Sequence, residues 1–125
     1  MNKNRRKALE RNLEDHSVEP AAQAEREQAL STVAFLAKSL SDENRLRVLV
    51  SLRDGRLSVS SLVEMLQLSQ PLISHHLKEL KRSLLVKVER SGPFIYYELA
   101  DKKILQIIED LETVAGGLLA NRRTF

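Results

Sequence analysis

The sequence has no cysteine and no tryptophan, and its 125 residues include only three prolines and four glycines. Without cysteine the chain has no disulfide, no thiolate metal ligand, no cysteine nucleophile and no thiol redox switch. Aromatic residues make up 4% of the chain, too few for a surface that binds single strands by stacking bases on rows of rings. No apolar run approaches the ~20 residues of a membrane span, and the N-terminus lacks the apolar core of a signal peptide. We therefore expect a soluble cytoplasmic protein that does not bind membranes.

The composition is that of a folded protein, with 42% hydrophobic and 30% charged residues. The length predicts one compact domain, since a domain takes about 150 residues. We expect a charged N-terminal arm over 1–20, the domain over 21–122 and a short tail over 123–125. The arm has basic residues that could contact phosphates, although nearby acids weaken this expectation: Lys3, Arg5, Arg6, Lys7 and Arg11. Its one histidine, His16, is expected to be inert.

The spacing of apolar residues predicts five helices and one hairpin. The first helix runs from Ala21 to Leu40, and the second starts at Ser41-Asp42-Glu43, with Ser41 as its cap, and stops near Asp54-Gly55. An extended link from Arg56 to Ser58 leads to a short helix around Leu62, a turn at Gln67-Leu68 and a fourth helix capped by Ser69. A hairpin of Val86–Arg90 and Phe94–Leu99 follows, and then a last helix capped by Asp101. This order predicts a mainly α protein with a small β-hairpin (α+β), in the winged helix-turn-helix arrangement.

The helix after Ser69 has two contrasting faces when its residues are placed at ~100° intervals. One face is apolar: Leu72, Ile73, His76, Leu77 and Leu80. The other is polar and basic: Gln70, Pro71, Ser74, His75, Lys78, Lys81 and Arg82, with Glu79 at its border. Residues 69–92 hold five basic against two acidic side chains, which equals the net charge of +3 of the whole chain. Such a face suits the DNA major groove, whereas an ordinary surface helix would normally carry acids there too.

We therefore predict a DNA-binding surface made of this helix and the hairpin, the wing. Its residues are Ser69, Gln70, Ser74, His75, Lys78, Lys81, Arg82, Lys87, Arg90, Ser91 and Gly92. The wing would touch phosphates or a minor groove, and the alternative is a plain solvated hairpin. His76 is expected to pack in the core with its hydrogen bonds satisfied. No nucleophile with a base, metal cluster or phosphate-binding loop is present, so we expect no enzyme, metal or cofactor.

Three stretches, LAKSLSDENRLRVLVSLRDG, LSQPLISHHLKEL and FIYYEL, resemble the ArsR/SmtB family of bacterial winged-helix repressors. The resemblance runs from about Phe35 to Leu99. It implies a homodimer built from the first and last helices, and a repressor that an effector releases from its operator.

The sequence departs from the metal sensors of that family. Their Cys-Val-Cys element aligns with Ser58-Val59-Ser60, and the last helix offers Glu109, Asp110 and Glu112 without the histidines of the other metal site. A soft-metal site is therefore excluded, while a carboxylate site for a hard cation stays open. The cysteine pair of the sulfide-sensing relatives is also absent. Leu84 stands where the family usually has a glycine.

The terminal helices have more apolar surface than a small core covers, which predicts a two-fold dimer. Its expected interface is Leu30, Val33, Ala37, Ile107, Leu111, Val114 and Leu118. Such a dimer would bind double-stranded DNA at an inverted repeat with half-sites ~34 Å apart. A small organic effector at the dimer interface, or control by abundance alone, is expected. The alternative function is a winged-helix module that binds proteins and no specific DNA.

Overall fold

The computed structural model describes residues 20–122. The expectations for the arm before Pro20, including His16 and the basic residues, and for the tail 123–125 lie outside this range. Its elements are α1 Pro20–Ser39, α2 Glu43–Ser51, β1 Leu57–Ser58, α3 Val59–Leu66, α4 Gln70–Arg82, β2 Val86–Ser91, β3 Phe94–Leu99 and α5 Lys103–Asn121. No helix in this range is long and apolar enough to cross a membrane.

The chain divides into two units between Phe35 and Leu36, inside α1. The first unit is described from Pro20 and consists of most of α1, which has no buried residue. The second unit contains the end of α1 and all the other elements.

The core of the second unit lies where α2, α3 and α4 pack together over one face of the sheet, with the start of α5 beside them. Its buried apolar residues are Val48, Leu49, Leu52, Leu62, Ile73, Leu77, Leu80, Leu85, Val86, Leu99, Ile104 and Ile108. α5 buries only Ile104 and Ile108, so the rest of its apolar row is exposed.

α2 begins within the predicted segment, but its cap is Asp42 and not Ser41, whose hydroxyl donates to the Lys38 carbonyl at 2.6 Å. The helix also ends early. The Asp42 carboxylate caps it by accepting hydrogen bonds from the backbone N–H groups of Asn44 (2.9 Å) and Arg45 (3.1 Å). The helix ends at Ser51, not near Asp54-Gly55, because the following amides bond to carbonyls three residues back, such as Leu52 to Leu49 (3.1 Å). Gly55 follows this tight turn with φ +133°, which favours glycine but is not the left-handed helical value that we predicted.

α4 ends in a left-handed turn at a leucine. Leu84 has φ +65°, and its N–H donates to the Lys81 carbonyl while the Leu85 N–H donates to the Leu80 carbonyl, both at 3.0 Å. These two bonds define a Schellman motif, in which the residue at Leu84's position is usually glycine. Leu80 and Leu85 are both buried, which is the apolar contact that accompanies this motif. Leucine in place of the family's usual glycine at position 84 therefore leaves the turn intact and puts a branched side chain in it.

The predicted hairpin belongs to a three-stranded antiparallel sheet in the order β1-β3-β2. The segment predicted as an extended link contributes β1, in which Leu57 pairs with Tyr97 and Ser58 with Tyr96. This prediction was incomplete because a strand of two residues has no periodicity of its own and depends on a partner forty residues away. β2 and β3 pair from Val86 with Leu99 to Ser91 with Phe94, which leaves Gly92-Pro93 as the turn.

Candidate nucleic-acid interface

α3 and α4 form the helix-turn-helix. The Ser58 hydroxyl oxygen caps α3 by accepting from the Ser61 N–H (3.2 Å). Gln67 ends α3 in the left-handed conformation, with φ 56°, so three residues redirect the chain into α4. There the Ser69 hydroxyl oxygen accepts from the Leu72 N–H (3.4 Å), and proline is tolerated in the first turn because the N–H groups there have no helical partner.

The helical wheel of α4 describes its surroundings correctly. Ile73, His76, Leu77 and Leu80 are buried. The side chains predicted to face DNA are all exposed: Ser69, Gln70, Ser74, His75, Lys78, Lys81 and Arg82. Glu79, the one carboxylate of the helix, is half-buried and lies 3.6 Å from the Arg82 guanidinium. The outward face is therefore polar and basic.

His76 lies beneath this face, and its hydrogen bonding differs from the prediction. The side chain is buried as expected, but neither ring nitrogen has a hydrogen-bond partner within residues 20–122. Nε2 is 3.8 Å from the Asp42 carboxylate, too far for a hydrogen bond. Burial lowers the pKa of His76, and Arg45 and His75 lower it further, while Asp42 acts against them. The prediction of a satisfied histidine was wrong because the nearest carboxylate oxygen already accepts two backbone N–H groups as the cap of α2.

The predicted wing residues differ in their availability. Arg90, Ser91 and Gly92 are exposed near the tip, with Gly92 at φ +61°. Lys87 is exposed farther from the tip and lies 3.6 Å from the Glu98 carboxylate. Arg90 is therefore the wing cation that has no ion pair within the described range.

Sequence reasoning missed Arg56 as a member of the wing. Its guanidinium carbon lies 4.4 Å from the centroid of the Tyr96 ring, and its Nη1 is 3.0 Å from the Glu89 carboxylate. The contact depends on β1 pairing with β3, so no local pattern announces it.

At the expected thiolate positions, Ser58 has a structural role. Ser58 is the cap of α3, and its O–H donates to the Ser61 hydroxyl oxygen at 3.1 Å. On α5, Glu109, Asp110 and Glu112 are exposed, and Asp110 accepts a bond from the Gln106 amide at 2.9 Å. Over residues 20–122 no three His, Asp or Glu side chains are grouped as metal ligands. Glu109 and Asp110 point ~100° apart on the helix, whereas Glu109 and Glu112 are three positions apart and lie on the same side.

An open, mainly apolar groove of about 540 Å³ separates α2 from α5. Its apolar lining is Leu40, Leu46, Val50, Leu66, Ile108, Leu111 and Ala115, and its polar lining is Glu43, Arg47, Ser51 and Glu112. The Arg47 guanidinium donates to the Leu66 carbonyl (3.2 Å) and to the Asn44 side chain (3.2 Å), so it is held at the groove's edge.

A capped helix set on a short turn and flanked by a paired hairpin defines a winged helix-turn-helix protein. Residues 42–88 match the family model described as bacterial regulatory protein, arsR family. The transcriptional repressor SmtB of Mycobacterium tuberculosis is 37% identical over 87 residues, which are 70% of this chain and 64% of that protein. The chain thus matches less than two thirds of the length of SmtB.

Two further relatives are matched over more of their length. The transcriptional activator HlyU of Vibrio cholerae is 34% identical over 68% of this chain and 79% of its own sequence; its solved structure matches with a TM-score of 0.63 at 33% identity, covering 70% of this chain and 96% of HlyU. The homodimeric winged helix-turn-helix DNA-binding domain of a possible ArsR-family regulator from Mycobacterium bovis has a TM-score of 0.67 at 26% identity, covering 78% and 90%. The chain belongs to the ArsR family of bacterial regulatory proteins.

Proposed function

We propose that the protein is a homodimeric transcriptional repressor that binds an inverted-repeat operator through α4 and the wing. The observation that carries this proposal is the outward face of α4, where glutamine, serine, histidine, lysine and arginine are exposed and the one carboxylate is half-buried beside Arg82. Glutamine suits the edge of adenine, and lysine and arginine suit phosphates or guanine. The names of the relatives support regulation of transcription, and repression follows the example of SmtB.

The dimer is supported by apolar surface that a single copy leaves in water. On α5 the exposed side chains at steps of three and four are Ile107, Leu111, Val114 and Leu118, and α1 exposes Leu30 and Val33. Burial of apolar surface is the main favourable term in stable association. Two copies related by a two-fold axis would hold their α4 helices ~34 Å apart, which is one turn of DNA.

Selection of duplexes from a random library at ~150 mM salt tests the proposal, because nonspecific attraction to phosphates is weak there. We expect an enriched inverted repeat. Recovery of no enriched sequence, together with a stable protein partner in a pull-down, would instead favour the protein-binding alternative.

Substitutions then separate base reading from phosphate binding. Gln70→Ala combined with Ser74→Ala should weaken binding to the selected repeat and relax specificity at the bases that these side chains read. The expected cost is about 1–3 kcal/mol for each base that a side chain no longer recognises by a good bidentate pair. Lys78→Ala should weaken binding to all sequences and lower the salt slope by about one for each half-site that a subunit contacts. Lys103→Ala, at the start of α5, removes the same charge outside the proposed surface and should change neither quantity.

That a small organic effector releases the protein from DNA is still a prediction from the family resemblance. Among the described residues, the groove between α2 and α5 has the volume of a site for a small organic molecule. Its wall α2 packs against α4, so a change in the spacing of α2 and α5 would reach the DNA-binding helix.

A further inference from the structure

The tip of the wing exposes an aromatic ring. Phe94 is the first residue of β3, pairs with Ser91 and is 58% exposed. The turn before it is Gly92-Pro93, in which glycine has φ +61° and the proline ring fixes a negative φ. These are the signs that a type II′ hairpin turn requires. The backbone that carries the Phe94 ring is therefore held in one shape.

The ring is braced on the outer face of the sheet, away from the core. Side chains two residues apart on a strand share a face, and the rings of Phe94 and Tyr96 have centroids 6.3 Å apart with a tilt of 42°. Arg56 covers the Tyr96 ring and is tied to Glu89 on the far strand. The packed side chains of Tyr96 and Arg56 restrict the Phe94 ring before binding. The ring therefore loses less freedom when it makes a contact, which reduces the entropic cost of that contact.

The charges of the hairpin favour an anionic partner. Both carboxylates of the hairpin are in ion pairs, Glu89 with Arg56 and Glu98 with Lys87. Arg90, across from Ile95 in the ladder, is in no ion pair within residues 20–122. Because Arg90 pairs with Ile95 and Phe94 pairs with Ser91, the cation and the ring are on opposite faces of the hairpin. The tip thus presents a fixed apolar ring on one face and a cation without an ion pair on the other, and neither hairpin carboxylate is unpaired.

We propose that Phe94 inserts into the minor groove beside each half-site and contributes a part of the operator affinity that does not depend on salt. The inference rests on the proposed function, and it adds an apolar contact to a surface otherwise defined by polar and charged groups. Phe94 is in the same hairpin tip as Arg90, Ser91 and Gly92, which belong to the proposed DNA-binding surface. If these residues contact DNA, the ring lies next to the phosphates that flank the groove. Proteins that bind the minor groove frequently insert apolar side chains such as phenylalanine between base steps.

Salt dependence separates the ring from its charged neighbours. Affinities of wild type, Phe94→Ala, Phe94→Leu and Arg90→Ala for the selected repeat are measured at several salt concentrations. Phe94→Ala should lose about fivefold in affinity for each half-site, which is about 25-fold for the full repeat, at every salt concentration, as expected for leaving half of each phenylalanine in water. The slope of log affinity against log salt should not change. Arg90→Ala should lower that slope by about one for each half-site, which is about two for the full repeat. Phe94→Leu should retain most of the affinity.

Hydroxyl-radical footprinting locates the contact, since the radical attacks the sugars through the minor groove. Wild type should protect a short minor-groove segment beside each half-site, and Phe94→Ala should open that segment while the protection by α4 persists. Equal thermal midpoints of the variants exclude loss of folding as the cause.

The outcomes distinguish the two proposals. If wild type selects no duplex, the proposed function fails and this inference fails with it. If wild type selects a repeat but Phe94→Ala retains full affinity and the same footprint, only the role of Phe94 is overturned. A loss for Phe94→Ala that disappears at high salt would also overturn it, because the contact would then be electrostatic.

Discussion

At the scale of single residues, His76 is held neutral by its position. It is 4% exposed, it lies beneath the outward face of α4, and burial is the main cause of its lowered pKa. The nearby Asp42 carboxylate favours the charged form of His76, but it is already bonded to backbone N–H groups as the cap of α2. The hydrogen bond from the Arg45 N–H lowers the pKa of Asp42. The folded protein therefore disfavours a proton that the unfolded chain accepts.

This makes stability depend on pH. An unfolded histidine titrates near pH 6.5, and the folded pKa of His76 is lower, so its stabilising contribution is complete above about pH 6.5 and is lost as pH falls through the folded pKa. One such group changes the free energy of unfolding by at most about 1.4 kcal/mol per pH unit. Urea denaturation between pH 7.5 and 5 should show this loss, and His76→Leu should show a flatter profile. Parallel profiles for the two proteins would contradict the assignment.

Leu84 offers a second prediction for a single residue. A leucine at φ +65° costs about 1–2 kcal/mol, and its side chain is 77% exposed, so it contributes little packing in return. Leu84→Gly should raise the free energy of unfolding by roughly 0.5–1 kcal/mol, because the added flexibility of the unfolded chain offsets part of the gain. Leu84→Ala is the control: alanine keeps the strain and should give no such gain in thermal or urea unfolding.

At the scale of elements, those with local signals were predictable from the sequence. The cap Ser69 lies at a position where a side chain reaches the next amides, and the apolar period of α4 is contained within thirteen residues. At α2 the local signal located the start of the helix but not the capping residue, which is Asp42 and not Ser41. Features that depend on a distant partner were not predictable. β1 exists because Tyr96 and Tyr97 pair with it, and the end of α2 depends on a turn that buries Leu52.

The same distinction applies to the candidate site. The exposed residues of α4 follow from helix geometry alone, whereas Arg56 reaches the wing only after three strands assemble. The pairing of Lys87 with Glu98 and the orphaned nitrogens of His76 also depend on distances that a sequence does not contain.

The cap of α2 gives a prediction at this scale. Asp42→Ala leaves two backbone N–H groups without their acceptor and should lower the free energy of unfolding by about 1 kcal/mol. Asp42→Ser retains a capping oxygen and should recover most of the loss. Measurement by urea denaturation at pH 7.5 keeps His76 neutral, so the result reports the cap. Equal losses for both variants would show that the carboxylate acts in another way.

At the scale of the whole molecule, the exposed apolar row of α5 predicts how assembly and DNA binding are linked. Leu111→Asp places a charge in the middle of that row and should weaken the dimer at least tenfold, since an unpaired charge in an apolar interface is expensive. Sedimentation analysis should then show monomers at micromolar concentration. Binding to the full repeat should fall toward that of a single half-site.

Thr113→Asp is the matched control, because it introduces the same side chain and the same change in charge at an exposed position of α5 outside the apolar row. It should leave both the dimer and the affinity for the repeat unchanged. A dimeric Leu111→Asp protein would place the interface elsewhere.

The hydroxyl cap at Ser58 has a consequence for engineering a metal-responsive biosensor from this protein. The obvious design converts Ser58 and Ser60 to cysteine, which restores the thiol pair of the metal-sensing relatives. A thiol is a weak acceptor, so the same change weakens the bond from the Ser61 amide that starts α3. The metal-free sensor would begin with a loosened first helix of its helix-turn-helix, and metal binding would tighten it. The response of such a sensor would therefore include local folding as well as coordination.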